Sequence, residues 1–269
     1  MISPQLEKVP AYVLLNGKKD LSDEVCSELH EVMEKLKLIK GDDKASALNT
    51  VGVIHAYLNQ YEYALESFND ALYYEFSDVT YINYLQTIER LGDYNRAFEE
   101  GIRVFCDHPN NINLFSCLFD LTSKYLMSEN FDILKHYEPF LRANPFKIDI
   151  KEKILAAESI INHDCALINQ NEININYYRY LVNVAYCEVR KLTNGELSII
   201  KSDNEFGELN FRILADISVN DVILLNQKFD QRLVESIDKN LISFEDYLSH
   251  LDKLVMGYEI VSNIDEVVS

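Results

Sequence analysis

Apolar residues recur at three- and four-residue spacing from about residue 20 to residue 165, a pattern that predicts a series of amphipathic helices. The first of these helices is predicted within the segment LSDEVCSELHEVMEKLKLIKGD. Ser22 is a favourable N-cap, acidic residues fill the first turn, lysines lie near the end and Gly41 stops the helix. We expect this helix to cap the helices that follow it.

Two segments with the same spacing of small and apolar residues come next, at about residues 45–77 and 78–109. Ala64 of the first segment and Ala97 of the second are 33 residues apart. Each segment is divided by a pair of turn-forming residues, Asn59 with Gln60 and Gly92 with Asp93. The sequence therefore predicts two copies of a helix–turn–helix unit.

A third segment, at about residues 112–145, matches the first two less closely. It keeps a turn at residues 128–130, Phe140 and the closing Pro145, but Leu121 and Ile133 replace the small residues. The helical period then continues over residues 148–161, which predicts a further helix that ends the repeats.

The spacing of these segments resembles that of the tetratricopeptide repeat (TPR), a pair of antiparallel helices with a period of 34 residues. In such a pair, small side chains let the two backbones approach to about 8–10 Å, and each pair buries its apolar face by stacking on its neighbour. The resemblance implies a TPR-like α-solenoid over residues 45–165. Its packing positions would be Gly52, Ala64, Phe68, Ala71, Leu85, Ala97 and Pro109.

The resemblance also implies a binding groove, because the first helices of successive TPR units line a common inner wall. The residues at these wall positions would be Asn49, Val53, Tyr57, Ile82, Asn83 and Thr87. Three acids on the second helix of the first repeated segment are further candidates for contact with a partner: Glu62, Glu66 and Asp70.

The pattern changes after about residue 170, where we predict a small α+β domain over residues 170–262. The segment ININYYRYLVNVAYCEVRKL alternates and is rich in Tyr, Val and Ile, which favours a strand. Asn194 and Gly195 then predict a hairpin turn. Strands over 197–201 and 209–214 would complete a three-stranded antiparallel meander.

Two helices would follow these strands, and each has a serine at its expected N-cap. Ser218 precedes VNDVILLNQKFDQRLVESI, and Ser243 precedes FEDYLSHLDKLVMGYEI. The predicted fold class is thus mainly α, with a TPR-like α-solenoid followed by a small α+β domain. Residues 1–44 would form an amino-terminal segment with the capping helix, and residues 263–269 a tail.

The charge of the chain is unevenly distributed. The formal net charge is −19, and residues 45–123 contain eleven acids, three arginines and no lysine. Such a segment repels nucleic-acid phosphates and attracts basic partners. The alternative is a solvated acidic face that only keeps the protein soluble. Five scattered cysteines, the lack of a signal-peptide pattern and the lack of a long apolar run favour a cytoplasmic protein.

The sequence contains no recognisable catalytic, cofactor-binding or metal-binding motif, so we expect neither an enzyme nor a need for a cofactor or metal. Arg103 and His108 have the spacing of a short ribonuclease motif found in HEPN-type nucleases, but their place at the predicted end of a helix favours a structural role. An active site in the carboxyl-terminal domain is a third alternative for function.

The main functional hypothesis is an adaptor or chaperone-like protein that holds a basic or amphipathic segment of a partner protein in its TPR groove. The alternative is an acidic inhibitor, of the immunity or antitoxin type, that neutralises a basic enzyme or toxin. Neither hypothesis involves nucleic acid or a membrane.

Overall fold

Helices make up most of the chain, and a small three-stranded sheet lies near the carboxyl terminus. The computed structural model describes residues 17–141, 147–195, 197–203, 209–251 and 253–260. The predicted closing Pro145, the 263–269 tail and the first part of the amino-terminal segment lie outside these residues. The chain divides into two compact units, Met1–Leu118 and Phe119–Ser269.

Helices account for almost all of the first unit. They are α1 (Asp23–Lys37), α2 (Lys44–Tyr57), α3 (Tyr61–Tyr74), α4 (Asp78–Arg90), α5 (Tyr94–Asp107) and α6 (Ile112–Lys124), which continues into the second unit. The helices predicted in the first two repeated segments are therefore present, as α2 with α3 and α4 with α5. The predicted capping helix is also present as α1.

Helix α1 packs on α2 through a continuous apolar cluster. Leu29, Met33 and Leu36 of α1 lie among the buried residues of α2, which include Val51 and Ile54. These α1 positions are three or four residues apart, so they fall on one face of the helix. The apolar face of α2 that α3 does not cover is buried in this way.

The turns between the paired helices repeat with the same geometry. Asn59 and Gly92 both have a positive φ, 62° and 92°. The amide after each one donates a hydrogen bond to the carbonyl five residues earlier, from Gln60 to His55 and from Asp93 to Ile88. This is the Schellman motif, which ends a helix with a left-handed residue.

The degenerate third segment has the same turn at Leu126, and residues 128–130, where the sequence predicted it, begin the next helix, Ser128–Lys135. Leu126 has a φ of 50°, and the Met127 amide donates to the carbonyl of Thr122. A left-handed leucine is unfavourable because of its Cβ, and neighbouring contacts hold it there. The guanidinium of Arg179 donates to the carbonyls of Tyr125 and Leu126, at 2.9 and 2.8 Å. The left-handed residues of the three turns are 33 and then 34 positions apart.

The close approach of the paired helices depends on glycine. A Cβ on Gly52 of α2 would lie 2.5 Å from the Phe68 ring of α3. A Cβ on Gly101 of α5 would lie 2.5 Å from Leu118 and 2.9 Å from Leu85. The contact between Gly52 and Phe68 thus lies within one helix pair, α2 with α3.

The second unit contains helices and the whole sheet. After α6 come α7 (Ser128–Lys135), α8 (Glu138–Leu141), α9 (Lys147–Gln170), α10 (Ile175–Arg190), β1 (Leu197–Asp203), β2 (Leu209–Ala215), α11 (Val219–Asp238), α12 (Phe244–His250) and β3 (Leu254–Ile260). The helix predicted over 148–161 is confirmed and is longer than expected. The strands predicted over 197–201 and 209–214 are confirmed as β1 and β2.

The predicted first strand of the meander is wrong, because residues 175–190 form the helix α10. Its buried residues include Tyr177, Tyr178, Leu181 and Val182, which follow a helical period. The side chain of Asn174 caps the helix by accepting a hydrogen bond from the Asn176 amide. Asn194 and Gly195 therefore follow a helix, so the prediction of a hairpin at this position is also wrong.

The third strand comes from a segment that was predicted as helix. Only Phe244–His250 is helical in the last predicted helix, and Leu254–Ile260 forms β3. The sheet order is β1-β2-β3, with β1 and β2 antiparallel and β2 and β3 parallel. A parallel pair needs a crossover connection, and α11 and α12 provide it, so the sheet is not a meander.

Candidate protein-interaction surface

Two of the predicted wall residues meet across the two helix pairs. Asn49 lies on α2 and Asn83 on α4, 34 residues later, and both are half-buried. The side-chain amide of Asn83 donates a hydrogen bond to the side-chain oxygen of Asn49 at 3.3 Å. The resemblance to TPR units assigned these residues to one wall, and the structure places them side by side.

Tyr57 and Thr87 are wall candidates that face the interior. Tyr57 is only 3% exposed, and its hydroxyl accepts a hydrogen bond from the Asp20 amide at 2.7 Å. Burial raises the pKa of Tyr57. Thr87 is 2% exposed and its hydroxyl donates to the Asn83 carbonyl. Both side chains therefore support the wall and have little surface to offer a partner.

Val53 and Ile82, the apolar wall candidates, are half-buried. Val53 packs against the apolar cluster between α1 and α2. Part of each residue remains open to solvent.

The three acidic candidates lie on α3 and are exposed to solvent. Glu62, Glu66 and Asp70 are four residues apart, which places them on one face with a rise of about 6 Å between neighbours. Helix α3 contains no basic residue. Within the described residues, none of the three carboxylates takes part in an ion pair, so their charge is available to a partner.

Tyrosines accompany these acids, and the sequence analysis did not identify them as site residues. Tyr63, Tyr73 and Tyr74 are 59%, 88% and 60% exposed. The helical period of α3 places them on the same side as the acids. The helical period that groups them with the acids can be read from the sequence.

The alternative site at Arg103 and His108 lies where α5 ends. The His108 ring stacks on Phe76 at 5.5 Å between centroids. Tyr81 lies nearby, and its hydroxyl donates to the Glu100 carbonyl at 2.8 Å. Burial, followed by the charge of Glu100, raises the pKa of Tyr81 to about 12. The histidine thus belongs to a row of aromatic contacts between helices.

The polar groups buried in the second unit form structural contacts. The carboxylate of Glu188 accepts from Lys191 at 2.6 Å and from Arg232 at 3.2 Å. His250 stacks on Tyr177 at 4.8 Å, and its Nε2 accepts from the Asn174 amide at 2.9 Å. These contacts tie α10 to α11 and to α12.

Among the described residues, no three His, Cys, Asp or Glu side chains are grouped closely enough to hold a metal ion. The five cysteines all lie within the described residues, and none of them forms a disulfide bond. Of the helices in the described ranges, none combines the length and apolar character needed to cross a membrane.

The chain has no recognised relatives in the comparisons with known proteins. No family model matches it, no curated protein matches its sequence, and no solved structure matches its fold.

Proposed function

We propose that the protein is an adaptor or chaperone-like binding protein whose helix pairs act as TPR-like repeats and hold a basic or amphipathic segment of a partner protein. The observation that carries this proposal is the repeated turn at Asn59, Gly92 and Leu126. A helix pair that recurs with a fixed period and a fixed turn is the building unit of a solenoid. Solenoids expose long surfaces that suit extended protein partners.

The contact between Asn49 and Asn83 supports the same proposal. In a stack of helix pairs, equivalent residues of successive first helices lie side by side, and these two asparagines have that relation. The half-buried Val53 and Ile82 would then add apolar contacts to the wall. An amphipathic segment could place its apolar side chains on them and donate hydrogen bonds to the amides.

The preference for a basic partner follows from the charge of the helix pairs. Residues 45–123 carry eleven acids and three arginines, and Glu62, Glu66 and Asp70 are exposed on α3. Opposite charge on a partner would speed association and favour the correct register. The same exposed acids support the second candidate function, an acidic inhibitor that covers a basic enzyme or toxin.

Affinity purification from the native source tests the proposal. The wild-type chain should retain a protein in a defined stoichiometry, and the variant with Glu62→Lys, Glu66→Lys and Asp70→Lys should lose it. A complex that survives high salt would favour the adaptor, because apolar contacts are not screened, whereas a one-to-one complex that dissociates in salt would favour the inhibitor. If no protein is retained in defined stoichiometry, the proposal is wrong.

A further inference from the structure

The outward side of α3 combines aromatic rings and carboxylates in one continuous surface. At 100° per residue, the six side chains occupy an arc of about 120° around the helix. We call this surface the tyrosine–carboxylate face, and its members are Glu62, Tyr63, Glu66, Asp70, Tyr73 and Tyr74. The buried residues of α3, such as Ala64 and Phe68, lie on the opposite side.

The folding of the helix does not explain why this face is aromatic. Tyr73 is 88% exposed, and its closest ring contact is the edge of Tyr74 at 5.9 Å. Tyr63 touches His55 at 5.6 Å but remains 59% exposed. Large apolar groups grouped on a surface mark interaction sites more often than isolated ones do. The three rings therefore need a partner to cover them.

The electrostatics of the face determine which partner fits. Three carboxylates share the face with the three rings, and α3 has no cation to neutralise them. Tyr73 and Tyr74 lie at the carboxyl end of the helix, which carries the negative end of its dipole. The exposed Glu75 adds a further negative charge there. Ring faces also attract cations through their quadrupole.

We infer that the tyrosine–carboxylate face binds a lysine- or arginine-rich segment of a partner protein, with the cations placed over the rings and between the carboxylates. This inference rests on the proposed function and names the partner's chemistry and its place of contact. The face lies on the second helix of the first pair, away from the Asn49 and Asn83 wall. Carboxylates at a rise of about 6 Å match cations at every fourth position of a helix.

A defined peptide tests the inference without the natural partner. The probe is a fluorescein-labelled alanine-rich helix with lysine at every fourth position, and the control peptide has glutamine at those positions. Binding is followed by fluorescence anisotropy on the full-length chain, and circular dichroism confirms that each variant is folded. All substitutions are at exposed positions, so folding should be retained.

Three triple variants separate the contributions of the rings and of the charges. Tyr63→Ser with Tyr73→Ser and Tyr74→Ser removes the rings, and the corresponding Tyr→Phe variant keeps them. Glu62→Gln with Glu66→Gln and Asp70→Asn removes the charges. A matched control neutralises three exposed acids of the second unit, with Asp230→Asn, Asp238→Asn and Glu245→Gln.

The serine variant should bind the lysine peptide at least about tenfold more weakly than wild type. Each cation–π contact at an exposed site contributes modestly, but this variant loses three of them together. The phenylalanine variant should stay within about twofold, because its ring faces remain. The acid-neutralised variant should weaken binding about fivefold, and the control variant should bind as wild type does.

Equal binding of the lysine and glutamine peptides, or wild-type affinity of the serine variant, would overturn the inference. Spermine could also compete with the lysine peptide when both are supplied at the same total charge. If that competition depends on the three tyrosines, the inference is likewise overturned, because the face would then recognise a free polycation. If the serine variant still captures the native partner fully, only the inference fails. If no native partner exists but the peptide binds through the tyrosines, only the proposed function fails.

Discussion

Replacing Gly52 by alanine tests the helix crossing on which the repeat packing depends. In an open helix, Gly→Ala stabilises by about 1 kcal/mol because alanine has the higher helix propensity. Here the new Cβ would lie 2.5, 2.6 and 2.9 Å from three atoms of the Phe68 ring. That ring is rigid and 1% exposed, so it cannot move away without displacing its neighbours.

The expected magnitude follows from these two opposing effects. Overpacking in a filled core costs about 1–3 kcal/mol, and a rigid buried ring places Gly52→Ala near the upper end. After the gain in propensity, we expect a net loss of about 2 kcal/mol in the free energy of unfolding. Gly101→Ala is the companion variant, since its Cβ would meet methyl groups of Leu118 at 2.5 Å and Leu85 at 2.9 Å, which are more adaptable than a ring.

The assay is urea unfolding of the full chain, combined with hydrogen exchange of the α2 and α3 amides. Gly101→Ala should destabilise the chain less than Gly52→Ala does, and Gly52→Ala should stabilise in a Phe68→Leu background, where the ring is absent. The difference between the effects of Gly52→Ala in the wild-type and Phe68→Leu backgrounds measures the interaction between the new methyl group and the ring. If Gly52→Ala stabilises the wild-type chain by the amount expected for an open helix, α2 and α3 do not cross closely at this point.

Two further predictions concern buried polar groups. The fold favours the neutral phenol of Tyr81, because burial raises its pKa to about 12. This contribution to the free energy of unfolding is complete below the unfolded pKa of about 10 and is lost as the pH rises towards 12. Between pH 9 and 12, the free energy of unfolding measured in urea should fall less steeply with pH for Tyr81→Phe than for wild type. Identical slopes would contradict this. The second variant, His250→Phe, keeps the stacking on Tyr177. It removes the hydrogen bonds that the imidazole makes with the Asn174 amide, at 2.9 Å, and with the Asp246 carbonyl, at 2.5 Å. It should lower the free energy of unfolding by about 1–3 kcal/mol, and unchanged stability would argue against these bonds.

The helices of the first unit could be predicted because local signals agree there. Apolar spacing, turn-forming residues and small residues all indicated the same boundaries around Asn59 and Gly92. The left-handed turn at Leu126 gave no such signal, because leucine does not favour that conformation. It is held in part by Arg179, which lies more than fifty residues away in sequence.

The errors in the second unit have a common physical cause. Segment 175–190 is rich in residues that favour strands, yet its buried side chains follow a helical period, and burial outweighs local propensity. The helix predicted after Ser243 was extended over residues 254–260, which form β3 instead. This strand is specified by pairing with β2, where Gly257 lies opposite Arg212, and a distant partner of this kind cannot be read from local sequence.

The candidate surface was predicted in part. The acids Glu62, Glu66 and Asp70 were named from charge alone, and all three are exposed. Tyr57 and Thr87 were named from the resemblance to TPR units, but their side chains are buried. A family pattern gives the position of a residue on a helix, whereas its exposure depends on what covers that helix, and here residues 17–20 and α1 pack over α2.

Hydrogen exchange of the full chain, measured alone and in complex with the protein retained from its native source, tests the central claim most directly. Partner binding should slow exchange in the helix pairs, with the strongest protection in Tyr61–Tyr74 and in the wall helices Lys44–Tyr57 and Asp78–Arg90. Protection confined to the second unit, with the helix pairs unchanged, would contradict the account.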